Sequence, residues 1–138
     1  MHEGVRNPFP SLLGVRVEET RPGYARLRLT VEPGHLDCWG RVHRGLLSAM
    51  MDSAVGAALG HLKAERGLGG APQATIAMDA LFLASAAAEE VVAEGRVLAL
   101  AHPVAFGEAL ARLPDGTALA RASFVFLVGE ARRWPTPT

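Results

Sequence analysis

One carboxylate interrupts an otherwise apolar stretch. From residue 44 to 62 the chain places Leu46, Leu47, Met50, Met51, Ala54, Val55, Ala58, Leu59 and Leu62 on nearly every side of a helix, and Asp52 falls among them. An unpaired ionised carboxylate in such surroundings is costly, so it either finds partners or raises its pKa. Partners are within reach: Ser48 stands one turn earlier and arginines are plentiful, which would make Asp52 a structural residue. A raised pKa would instead suit it to proton exchange, because perturbed acids concentrate at functional sites. Other reactive side chains offer less. His2, His35, His43, His61 and His102 lack the close spacing of a metal site, so no metal is expected. Cys38, the single cysteine, has no base beside it in the sequence, and the charge of Asp37 would raise its pKa rather than lower it.

The helix that carries Asp52 needs a scaffold. The 138 residues are 49% hydrophobic and suit one domain, 1–138, that buries most of its own surface without disulfides. Residues 8–13 read as a short helix or turn that packs Phe9 and Leu12 inward. Residues 14–31 alternate with period two, Ala25, Leu27 and Leu29 against Arg26 and Arg28, around a turn at Arg21, Pro22 and Gly23. A loop rich in breakers, 32–43, leads into the apolar helix at about 44–62, which Gly67, Gly69, Gly70 and Pro72 end. Four strand-like segments follow at 75–83, 89–100, 104–113 and 118–128, with a hairpin turn at Pro114, Asp115 and Gly116. The first of them is expected to pair with the early hairpin, and the tail 129–138, with two prolines, is expected to fray. Hairpin-joined strands and one long helix mean an α+β fold rather than a doubly wound one. An all-apolar helix has to be wrapped. A curved, mainly antiparallel sheet of five to six strands folded round it, the hot-dog arrangement, does so.

Charge excludes some partners and suggests one. Fourteen basic residues balance fourteen acidic ones, which argues against nucleic acid as a partner. No apolar run reaches the length of a membrane span and the first residues lack a signal peptide's layout, so no membrane partner and a cytoplasmic location are expected. A neutral surface and the exposed edges of a single sheet both favour association of copies. Arginine supplies nearly all the positive charge, Lys63 being the only lysine, and Asn7 and Gln73 are the only side-chain amides.

The segment ahead of Asp52 reads HLDCWGRVHRGLLSAMMDSA. It resembles the signature of the hot-dog acyl-CoA thioesterases of the phenylacetic-acid-pathway (PaaI-like) type: an Asn, then x-x-Gly-x-x-His-Gly-Gly, then an acidic residue further along the helix. Gly40, His43, Gly45 and Asp52 fall in that register, and GAPQATIAMDALFL looks like the family's strand after the central helix. The resemblance implies hydrolysis of an acyl thioester, with coenzyme A as part of the substrate and no separate cofactor. Asp52 would act as nucleophile or general base, and the backbone N–H of Arg44 would face the thioester oxygen. His43 would position that turn or the substrate, beside Gly45, and Thr75 would hold the attacking water. Such sites commonly draw the loop and the acid from different subunits, which implies a homodimer, assembling to a tetramer.

Two positions depart from the pattern. Asp37 stands where the family has Asn, and an ionised carboxylate accepts hydrogen bonds but cannot donate them. Asp37 is then a solvated loop residue, a partner of Arg41 or Arg44, or a second acid facing Asp52, in which case one of the two pKa values rises. Arg44 replaces the first glycine after the histidine, which keeps the N–H but narrows the entrance or clamps an anionic substrate. These departures motivate an alternative: an acyl-CoA or small-ligand-binding protein that keeps the fold without the reaction. A hot-dog dehydratase or hydratase, with His43 and Asp52 sharing proton transfer, is a further alternative. His35 and Trp39 would line an acyl pocket or simply pack the loop.

Overall fold

The computed structural model describes residues 7–130. Helix α1 (Pro8–Leu13) leads into the hairpin β1 (Arg16–Arg21) and β2 (Tyr24–Thr30). A 3-10 turn (Pro33–His35) and a loop then reach the long helix α2 (Arg44–Glu65). Four strands complete the fold: β3 (Gln73–Phe82), β4 (Glu90–Ala101), β5 (Val104–Arg112) and β6 (Ala118–Val128). The six strands form one antiparallel sheet in the order β1-β2-β4-β5-β6-β3, with α2 packed against it, which is the hot-dog arrangement.

Small residues decide which strands lie under the helix. The inward positions of β4 and β5 include Ala93, Gly95, Ala105, Gly107, Ala109 and Ala111. A Cβ at Gly95 would stand 2.5 Å from the backbone of Ala54 and Val55, and one at Gly107 would stand 2.5 Å from the Val55 side chain. The helix backbone therefore rests on β4 and β5 where side chains are missing. Leu47, Met50, Met51, Ala54, Val55 and Leu59 join Leu27, Leu29, Val91, Phe124 and Phe126 in a single core.

Several expectations change here. β3 does not pair with the hairpin: it runs beside β6 at the opposite edge, and β4 takes the place next to β2. Its bulky apolar residues, including Ile76, Met78 and Phe82, suit an edge better than the tight space beneath α2. Phe9 and Leu12 of α1 do not pack inward; Leu12 is 81% exposed. Nor is α2 wrapped on all sides, since one stripe of small residues faces an open groove, and Val17 of β1 is exposed on its wall. Glu90 belongs to a charged ladder on the outer face of the sheet. Arg28 bridges Glu18 and Glu90, Arg26 holds Glu18, and Glu94 takes Arg112 and the Tyr24 hydroxyl. The tail expected to fray begins at Gly129, whose N–H donates to Pro72 O at 2.8 Å; the rest of it, 131–138, lies outside the described residues.

Candidate active site

Asp52, Gly56, Gly60 and Lys63 fall on one side of α2, at the spacing that repeats a helix face. They floor a groove of about 810 Å³ walled by α1, by Val15 and Val17, and by residues 69–75. Asp52 is half-buried there, and the Thr75 hydroxyl donates to its Oδ1 at 2.5 Å. Thr75 reaches it because β3 carries an extra residue, Ile76, between the paired positions Thr75 and Ala77, so Thr75 and Met78 both face inward. Ser48, the nearer hydroxyl, donates to Arg44 O instead. The partner of Asp52 is thus a strand residue aimed at it, not a neighbour on its own helix.

The motif loop is built around the start of α2. Asp37 Oδ1 accepts from the N–H groups of Trp39 and Arg41, and Gly40, at φ 75°, completes the turn. The N–H of Arg41, and also that of Trp39, holds the Asp37 carboxyl below its ordinary pKa, with the charges of Arg44 and His43 acting in the same direction. Asp37 therefore caps its own turn. It does not face Asp52 within one chain, it makes no ion pair with Arg41 or Arg44, and its pKa falls rather than rises.

His43 is the N-cap of α2, its Nδ1 accepting from Gly45 N–H at 2.8 Å. A Cβ on Gly45 would stand 2.9 Å from that nitrogen, so the glycine makes room for the ring. Leu46 and Leu47 N–H both reach His43 O. That leaves Arg44 N–H as the first-turn amide with no acceptor among the described residues, at the positive end of the helix. His35 braces the loop, with Nδ1 accepting from Glu32 N–H and Nε2 donating to Leu13 O. Trp39 is exposed and lines no part of the groove.

Two groove residues had no role in the sequence reading. Lys63 is buried, with Nζ donating to Ala71 O at 2.6 Å, and burial pushes its pKa down. Gln73 donates to Gly56 O at 2.9 Å while its buried Oε1 has no partner. The available signal was the helix face itself: a charge at each end, with Gly56 and Gly60 between.

The family model described as the thioesterase superfamily matches residues 40–120, from the motif loop into β6. The chain belongs to the thioesterase superfamily. Among solved structures, a mutant of the phenylacetic acid degradation protein PaaI from Thermus thermophilus is 25% identical. Its TM-score is 0.76, covering 88% of this chain and 98% of that one. A thioesterase family protein from Silicibacter pomeroyi is also 25% identical, with a TM-score of 0.82 and 91% of each chain covered. A thioesterase from Haemophilus influenzae shares the fold at 14% identity, with a TM-score of 0.84 over 94% of this chain and 88% of that one. No curated protein sequence matches. Among the described residues of this thioesterase-superfamily chain, no helix is long and apolar enough to cross a membrane.

Proposed function

We propose that this protein hydrolyses an acyl thioester, typically an acyl-CoA, to the free acid and the thiol. The observation that carries the reading is the Asp52 carboxylate, half-buried in an open groove and held by Thr75, in a chain of this superfamily. Asp52 takes a proton from water as the water oxygen attacks the thioester carbon; the C–S bond breaks and the proton passes to the departing thiolate. Direct attack by the carboxylate, followed by hydrolysis of the resulting anhydride, uses the same placement. Arg44 N–H is the donor for the oxygen that gains charge. No cofactor enters, coenzyme A being part of the substrate.

The site needs a second copy of the chain. Arg44 and Asp52 are eight residues apart, about 12 Å along the helix axis. A reacting carbon must lie roughly 3 Å from both the attacking group and the oxyanion donor. A partner whose Arg44 faces this chain's Asp52 meets that requirement. The free edge of β3, with Ile76 57% and Met78 45% exposed, offers the surface for a homodimer, and pairs of dimers would make a tetramer.

Thiol release from a panel of short, long and aryl acyl-CoAs tests the reading, with Asp52→Ala and Asp52→Asn as controls. Hydrolysis that falls by orders of magnitude in both folded variants is expected. Saturable binding without thiol release across the panel would favour a non-catalytic ligand-binding protein.

A further inference from the structure

The groove has a charged residue at each end. Lys63 is only 5% exposed, yet no carboxylate pairs with it among the described residues, where arginine makes every ion pair. An ammonium carries three donors, and Ala71 O takes one. The nearby Gln73 spends its Nε2 on Gly56 O and keeps a buried, unpartnered Oε1. Holding a lone cation and an orphan carbonyl oxygen in a half-enclosed groove costs stability, and such groups persist where they meet something else. On the groove floor the Gln73 amide lies against Gly56, 3.4 Å from where a Cβ would stand, and between it and Lys63 the floor is open at Gly60, where a Cβ would find nothing within 4 Å. Eleven residues separate Asp52 from Lys63, about 16 Å of helix axis.

We propose that Lys63 is a specificity-determining residue that receives a carboxylate at the far end of the acyl group, making the preferred substrates thioesters of dicarboxylic acids. This rests on the reading of Asp52 as the residue that hydrolyses the thioester. One cation suits one negative charge. A diphosphate would bring more charge than Lys63 can balance, and Gln73 Oε1, which only accepts, is left for a donor such as a hydroxyl on the same acyl group.

The test compares acyl-CoAs ending in a carboxylate with those of equal length ending in a methyl group, for the wild type and Lys63→Met. The same acyl groups are then presented on pantetheine, which has no phosphates. The wild type is expected to favour the carboxylated series in kcat/KM by about tenfold to a hundredfold, the range of a charge-assisted hydrogen bond. Lys63→Met should bring that ratio close to one, and the preference should persist on pantetheine. No preference in the wild type, or one that survives Lys63→Met, overturns the proposal. So does a Lys63→Met defect confined to the CoA series, because the lysine then reads a phosphate. A second measurement needs neither hydrolysis nor a variant. Lys63 is the only lysine, so labelled lysine gives one side-chain signal by NMR. Dicarboxylates from glutarate to suberate should shift it saturably while monocarboxylates of equal length do not; an unmoved signal overturns the proposal. Specific shifts in a protein that hydrolyses no thioester would sink the thioesterase reading and leave the carboxylate site standing.

Discussion

Replacing glycine by alanine should have opposite effects at Gly60 and Gly95, and the pair tests where the open groove lies. Both changes add one methyl group. At Gly60, in the interior of α2, the new Cβ points into open space, with no atom within 4 Å. Alanine then gains its full helix advantage over glycine, about 0.8–1 kcal/mol. For 138 residues the entropy of unfolding is roughly 0.3 kcal/mol/K, so the midpoint should rise by about 3 °C. At Gly95 the same methyl group stands 2.5 Å from the backbone of Ala54 and Val55, which cannot rotate away as a side chain could. Overpacking of this kind costs about 1–3 kcal/mol, so Gly95→Ala should lower the midpoint by roughly 3–10 °C. The assay is thermal unfolding followed by circular dichroism at one fixed protein concentration, since the proposed assembly would make the midpoint concentration-dependent. A destabilised Gly60→Ala would show that something already fills the groove beside α2, and would refute its reading as a substrate channel. A neutral Gly95→Ala would refute the direct contact of helix and sheet.

Thr75→Val should lower kcat/KM by about tenfold or more by freeing the Asp52 carboxylate, while Thr75→Ser keeps most activity; equal activities in steady-state assays would deny Thr75 its positioning role. Gly45→Ala should push the His43 ring off the first turn and cost about 1 kcal/mol of capping, read by urea unfolding. Lys63→Met should be more stable than the wild type at neutral pH. Because burial lowers the folded-state pKa of Lys63, the unfolded chain binds more protons between that value and 10.5, and wild-type stability rises with pH across that window. The advantage of Lys63→Met should therefore shrink toward pH 10, and denaturant titrations at pH 7 and pH 10 measure the difference. Met78→Lys on the free edge of β3 should weaken self-association and lower activity with it, as checked by analytical ultracentrifugation beside thiol release.

What was legible in the sequence follows from how local each signal is. The hairpin and its inward Ala25, Leu27 and Leu29 depend on alternation with period two, and the structure keeps them. α2 is marked by periodicity and a glycine-rich exit, and it runs three residues past the expected end. The place of β3 is not legible, because a nearly continuous apolar run is the mark of a strand buried on both faces. Nothing within its own residues says that β4, with Ala93 and Gly95, fits beneath the helix more closely. The placement is a competition between strands, and it cannot be read from one of them.

The same reasoning separates the legible part of the site from the rest. Asp52 stood out because a lone carboxylate breaks an apolar helix, and the motif register drew attention to Gly40, His43 and Gly45. Lys63 did not stand out, because a lysine in the last turn of a helix is ordinary: it meets the carbonyl end of the dipole in solvent. It becomes unusual only when the chain after α2 turns back and Ala71 covers it, with Gln73 closing the same side of the groove. A polar residue in an apolar run can be recognised from sequence because its cost is local. A charge buried by a distant loop cannot, and in this fold the second kind, Lys63, lies at the opposite end of the groove from Asp52. The catalytic carboxylate proposed here was therefore readable from the chain alone, while the residue proposed to choose the acyl group became readable only from the fold.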